Sequence, residues 1–467
     1  MAETKESTAK VTGRVLIVGD LVLDAPLLIG AGDGGEGRGD EDIRVLKDKD
    51  GAFIPGTSLC GVLRAFLRAH EGSGNAADTL FGDSDEGQSM IAVRDVRLDG
   101  AKIIARDGVA IDGVTGVGVD GAKYDYEAVE RGAHGEFRLL ATRRLCHEED
   151  WAKFYDSLLL LREKMEAGFS LGAMTAKGFG KVHAEHVRSG FFDFHRKEDV
   201  LAWLAKREPE PEDAADAMAG KTSQSLVVSE ELVVEADFAI RNSVIVRDYG
   251  RRKKIPGNKD RKDYDAVSKM SGDRYVLPGT SLKGVLRHHA ERVLRKLGAG
   301  ESFLQDLMGY STNEEKKKSR FSVEESLLEP SVHAAGQTRV RIDRFTGGAM
   351  ESALFTNEPL WQKGEGAAFR LRFRIEKAQP KEIGLALFLL RDLWQGRVAV
   401  GGEKSVGRGP LRGLGAVIRY RGKESGTEEA YRLDANGRIT EGSRDKLEAY
   451  ADALLEDKDD AKKEAAK

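Results

Sequence analysis

The stretch Ile54-Pro55-Gly56-Thr57-Ser58-Leu59-Cys60-Gly61-Val62-Leu63-Arg64 returns almost unchanged as Leu277-Pro278-Gly279-Thr280-Ser281-Leu282-Lys283-Gly284-Val285-Leu286-Arg287. Each copy reads as a turn feeding a helix. Pro-Gly sets the turn, Thr or Ser can cap the orphan amides, and a Leu/Val stripe follows at helical spacing. Either copy alone is an ordinary strand-to-helix junction; the repetition makes it a signature.

Outward from it, further landmarks recur in the same order, which a chance match would not do. Asp42 lies twelve residues before Ile54, and Asp265 twelve before Leu277. Downstream, Ile111-Asp112-Gly113-Val114-Thr115-Gly116 answers Ile342-Asp343-Arg344-Phe345-Thr346-Gly347, and Phe137-Arg138-Leu139 answers Phe369-Arg370-Leu371. Later, Gly172-Ala173-Met174-Thr175-Ala176-Lys177-Gly178-Phe179-Gly180 answers Gly401-Gly402-Glu403-Lys404-Ser405-Val406-Gly407-Arg408-Gly409. The chain reads as a duplicated domain.

Its 467 residues suffice for two main domains. Charged residues make up 33% of it, yet the net charge is only −4, so any basic surface that matters is local. Cys60 and Cys146 offer neither a disulfide framework nor zinc spacing. The polar start at 1–10 has no apolar signal core and no run approaches a membrane span, so the expectation is a soluble, cytoplasmic protein.

In chain order, 1–10 reads as a disordered tail and 11–190 as the first domain. A strand is expected at Arg14–Leu23, a mobile acid-rich loop at Gly30–Asp42, and a helix at about Ser58–His70 burying Leu59, Leu63, Phe66 and Leu67. Strands follow near Ile91–Val96 and Phe137–Ala141, with a projecting hairpin or loop between them at Arg106–Arg131. That segment satisfies GxGxxG at Gly116–Gly121, but no strand feeds it and no long apolar helix leaves it, so the dinucleotide reading fails. A helix at about Glu149–Ala167 and a strand at Lys181–Val187 complete a strand, helix, strands, helix, strand order. This is an α+β class of two tandem ferredoxin-like, RRM-like units with projecting hairpin insertions.

The stretch 191–224 holds Glu208-Pro209-Glu210-Pro211-Glu212-Asp213 and reads as a solvated acidic linker. The second domain is expected at 225–424, and a charged extension at 425–467 with a short helix near Asp445–Leu455.

This ordered, duplicated set resembles the RAMP superfamily of CRISPR proteins, and within it the backbone subunits of type III effector complexes, as a tandem type III-D-like fusion. The resemblance covers about 11–190 and 225–420. It implies that the turn-helices and glycine loops contact the guide RNA backbone, and that the hairpin is a thumb interrupting the duplex of guide and target. It also implies that an aspartate before the Pro-Gly turn cuts the target RNA, in company with other type III effector subunits. The residues this points to for RNA binding are Thr57, Ser58, Arg64, Lys177, Ser281, Lys283, Arg287, Lys404 and Arg408, joined by Arg251, Arg252, Lys253 and Lys254 from the densest basic run. Cys60 stands where the second copy has Lys283, which weakens that phosphate contact in the first copy.

Residue chemistry agrees where it can be tested. Cations spaced among glycines let backbone amides and charges approach phosphates together, and the missing Gly-Lys-Ser/Thr order argues against ATP. Their plain alternative is a tight turn with solvated cations. A carboxylate kept beside RNA makes sense if it holds a divalent cation, Mg2+ or Mn2+, or activates a ribose 2′-hydroxyl; Asp42 and Asp265 are the candidates for both roles. Their alternative is a solvated acidic loop. Asp112 and Asp343 suit turn stabilisation equally well. His183 and His186 fall on opposite faces of a strand, and His288-His289 has no acid or cysteine at ligand spacing, so a histidine-centred guide-processing nuclease is disfavoured. An RNA-guided endoribonuclease and a non-catalytic guide-binding scaffold remain.

Overall fold

The computed structural model describes residues 10–32, 43–70, 76–82, 88–113, 115–215, 218, 220–223, 230–256, 263–298, 301–311, 315–422 and 428–465. Asp42, the acid-rich loop from residue 33, and Lys259, Arg261 and Lys262 of the basic run lie outside them.

The first copy runs β1 (Val11–Leu23), α1 (Gly56–His70), β2 (Ile91–Val93), β3 (Ile103–Ile111), β4 (Gly118–Val129), β5 (His134–Arg144), α2 (Trp151–Ala167) and β6 (Lys181–Asp193). Its sheet has neighbour order β2-β5-β1-β6, antiparallel throughout, which is the ferredoxin-like arrangement. One face takes the two helices: Leu59, Leu63 and Leu67 of α1 and Leu158 and Leu161 of α2 pack with Val15, Ile17 and Leu139 of the sheet. Each such leucine contributes about 1.5–3 kcal/mol through burial.

The second copy repeats this as β7 (Glu231–Ile240), α4 (Gly279–Leu297), β8 (Phe321–Val323), β9 (Gln337–Ile342), β10 (Ala349–Glu358), β11 (Phe369–Glu376), α5 (Pro380–Trp394) and β12 (Leu411–Arg421), after α3 (Lys197–Ala205) in the connector. Its sheet order β8-β11-β7-β12 matches the first. Two further strands, β13 (Glu428–Leu433) and β14 (Ile439–Glu441), extend the β12 edge, and α6 (Arg444–Ala465) lies on α5. The approach is close enough that a Cβ on Gly384 would fall 2.2 Å from the Tyr450 carbonyl. The extension, expected to add little beyond charge, thus places Tyr431, Leu447 and Leu454 in the second core.

The connector differs from its expectation as a solvated linker. The outer face of the first sheet is apolar, with Leu16, Val18, Leu140 and Phe192, so it needs a cover; Phe194, Ala202, Trp203 and Ala214 supply one. The acidic run then forms a strap whose alternate glutamates meet sheet arginines: Arg94–Glu208 at 3.3 Å, Arg138–Glu210 at 3.3 Å and Arg188–Glu212 at 2.6 Å. The second sheet needs no cover, because its outer face carries cross-strand pairs such as Arg370–Asp237 and Arg419–Glu235. Among the described residues no helix is long and apolar enough to cross a membrane.

Candidate nucleic-acid interface

The two turn-helices start alike and are filled differently. In α1 the Gly56 amide donates to Asp95 Oδ1 at 2.8 Å, and a Cβ there would fall 2.2 Å from the Val93 carbonyl. In α4 a Cβ on Gly279 would instead fall 2.2 Å from the carbonyl of Lys177, in the first copy's glycine loop. Only glycine admits such a backbone approach. Gly178 in that loop has φ +86 and packs against the Glu324–Glu325 backbone, whereas Gly407, its counterpart with φ +85, would meet nothing within 4 Å of an added Cβ. The first copy therefore docks its glycine loop on the second copy's turn-helix, and the second copy's loop stays open.

A buried ionic clamp surrounds this contact. Glu325 and Arg106 are each 2% exposed at the side chain and pair at 2.7 Å; Arg131 meets the other Glu325 oxygen at 2.6 Å. Lys181 pairs with Glu324 at 2.9 Å. The same junction gathers three of the expected RNA-binding residues, Lys177, Lys283 and Arg287. Burial and the neighbouring Lys177 and Arg287 push the Lys283 ammonium down to about 7. Burial, then Arg287, lowers Lys177 too. In the first copy Arg64 is held by Asp78 at 2.8 Å and Cys60 is half-buried, so that cation cluster has no equivalent there. Thr57 is exposed in the first turn of α1; Ser58 and Ser281 are half-buried.

Two hairpins, β3–β4 and β9–β10, project from the copies. Their tips share one design. Asp112 Oδ1 accepts from the Thr115 amide and hydroxyl at 2.6 and 2.8 Å, and Asp343 Oδ1 from those of Thr346 at 2.8 and 3.0 Å. These two aspartates are turn residues, and the amide and hydroxyl of Thr346 hold the Asp343 carboxyl below its usual range. The first tip rests on α4, where a Cβ on Gly113 would lie 3.2 Å from the His288 ring. The second carries Phe345 at 100% exposure, with Leu354 and Ile342 exposed behind it.

Asp265 sits against this second hairpin. Its amide donates to the Thr356 carbonyl at 2.9 Å, and its Oδ2 accepts from the Thr356 amide at 2.6 Å, which fixes an exposed carboxylate against β10. Ala266 then pairs in parallel with Asn357. In the first copy Ile43, the residue after Asp42, makes the same parallel bridge to Tyr126. Among the described residues no group of three or more His, Cys, Asp or Glu converges as a cation cage.

A family model of the RAMP superfamily matches residues 20–183 and 186–412, one segment on each copy. The chain belongs to the RAMP superfamily. No curated protein matches it. RAMP proteins are CRISPR-associated and bind RNA, and some are nucleases.

The remaining expected contacts of this RAMP protein divide by burial. Lys404 is exposed on the open loop. Arg408 is buried and turned inward, its Nε on Glu403 at 2.7 Å and its other nitrogens on Ser243 and Gln337. Burial pushes the Glu403 carboxyl up, but Arg408, Arg339 and Arg247 outweigh it and hold it low. Arg408 therefore braces the loop from inside. In the basic run, Lys253 pairs with buried Glu358, Lys254 with Asp263 at 3.0 Å, and Arg251 donates to the Ser268 carbonyl at 3.3 Å; Arg252 is exposed. His289, read as lacking an acid partner, meets Asp392 at 2.7 Å in the second core, a contact 103 residues apart and thus invisible to local spacing. His183 lies between Asp24 and Glu185. Glu325, Arg106 and Arg131 were not singled out from sequence, because isolated charges carry no local signal of burial.

Proposed function

We propose that this RAMP protein is a backbone subunit of a type III CRISPR effector complex, which holds guide RNA along its junction and loops and cuts complementary target RNA beside each hairpin. The observation that carries the reading is the pairing of an exposed aspartate with the hairpin: Asp265 is bonded in both directions to Thr356. An apolar wedge such as Phe345 unstacks one nucleotide of the paired target, and a splayed nucleotide exposes its 2′-hydroxyl to in-line attack on the adjacent phosphate. Asp265 positions or deprotonates that hydroxyl. Asp42, by its matched place before Ile43, takes the same role in the first copy.

A hard cation such as Mg2+ or Mn2+ fits only as a guest sharing ligands with the RNA, since one exposed carboxylate is a poor site alone. When bound it would stabilise developing charge on the phosphate. That isolation also favours a second reading, a guide-holding scaffold without cleavage. The open loop around Gly407 and the α1 turn-helix are the unused halves of the internal junction, and neighbouring subunits of the complex would dock there.

Cleavage mapping on a guide-matched RNA in the assembled complex decides between the two readings. Two cuts assignable to this chain support the nuclease; none supports the scaffold. Salt dependence tests the RNA path separately. Arg252→Ala with Lys254→Ala spares Lys253, whose loss would strand buried Glu358, and should flatten the slope of log affinity against log salt by about 1. An unchanged slope and affinity would move the RNA path off this loop and onto the glycine loop at Gly401–Gly409.

A further inference from the structure

A narrower inference, which rests on the RNA-binding reading, concerns the cations where the two copies meet. Lys283 is 7% exposed, and its ammonium donates to the Ser319 hydroxyl at 2.7 Å. Ser319 is oriented by the Phe321 carbonyl at 2.6 Å, so it holds the lysine without neutralising it. Arg287, one turn further along α4, donates to the Gly309 carbonyl at 2.9 Å, and Lys177 arrives from the first copy. Acids on the neighbouring elements are engaged elsewhere: Glu325 with Arg106 and Arg131, Glu324 with Lys181 and Arg372, Asp306 with Lys317, Glu382 with Arg320. Like charges gathered at a domain junction oppose its closure unless a counterion enters.

We propose that Lys177, Lys283 and Arg287 form one anion site shared by both copies, which a phosphate of the bound RNA completes with uptake of a proton. In the RNA-free protein Lys283 is about half neutral near pH 7, because burial and its two cationic neighbours disfavour its charge. A phosphate between the cations reverses the repulsion and restores the charge. Binding is then linked to protonation: affinity is full below pH 7 and falls as pH rises through the free-state value. For the RNA-free fold the sign is opposite. Lys283 keeps more protons when unfolded, so its contribution to stability is lowest below pH 7 and improves toward the ordinary lysine range.

The test uses the full chain and a short single-stranded RNA at fixed salt, with affinity read by fluorescence anisotropy at pH 6.5 and 8.5. The wild type should weaken by about three- to tenfold over that range. Lys283→Arg, charged throughout, should change less than about twofold. Lys283→Met should bind weakly at both pH values, and should melt higher than wild type at pH 6.5 without RNA, which also reports that it folds. Calorimetry of wild type at pH 7.5 in buffers of different ionisation heat should register proton uptake. Wild-type affinity as flat as that of Lys283→Arg, with no proton uptake, would overturn the shared site while leaving RNA binding intact. No RNA binding at either pH would overturn the RNA reading and this inference with it.

Discussion

Asp265→Ala is expected to erase one of two cuts in a guide-matched target RNA, slowing it by about 10²–10⁴-fold, the usual worth of a positioned general base. Asp42→Ala should erase the other, and each single variant should leave the remaining cut and guide binding unchanged. Because Asp265 is exposed and its tie to the hairpin is partly through its own backbone amide, alanine keeps the N–H to Thr356 and removes only the carboxylate. A folding defect is therefore not the expected cause of lost activity. Excess chelator should stop both cuts and added Mg2+ or Mn2+ should restore them, as expected if the aspartates act with a cation shared with the RNA. Both single variants cutting at wild-type rate would discard the nuclease and leave the scaffold.

Glu325→Ala should be the most damaging single change away from the chemistry. It strands Arg106, 2% exposed, together with Arg131, in a contact between the copies. Removing one partner of a buried ion pair costs about 3–5 kcal/mol, because the other charge stays buried without compensation. Urea unfolding should register this as an earlier first transition, with the two copies separating before either core melts. Replacing Arg106 with Met and Glu325 with Leu together should recover much of the loss, since the apolar pair carries no desolvation penalty. A Glu325→Ala midpoint within about 0.5 kcal/mol of wild type would mean that the docked glycine loop, and not the ionic clamp, holds the copies together.

Much of the plan was legible from residues alone because it is written in local and periodic signals. The Pro-Gly turn, the leucine stripe of α1, the alternation of β1 and the Asp-x-x-Thr-Gly hairpin tips each depend on neighbours within a few residues. Their ordered return in a second copy removed the ambiguity that each has singly. Candidate RNA contacts were legible as residue types, but their states were not: Arg408 is buried against Glu403 and Ser243, and Lys253 is tied to Glu358, while Lys283 stands in a cationic cluster.

By itself, the sequence determined the duplication, the ferredoxin-like order of elements and the place of each aspartate before its turn-helix. Only the tertiary structure decided that one glycine loop is docked and the other open, that the acidic connector is a strap matched to Arg94, Arg138 and Arg188, and that His289 has a partner in Asp392. The physical reason is range. Propensity, capping and periodicity act over a turn or two of chain, whereas burial of a charge and the identity of its counter-charge depend on which distant segments the packed core brings together.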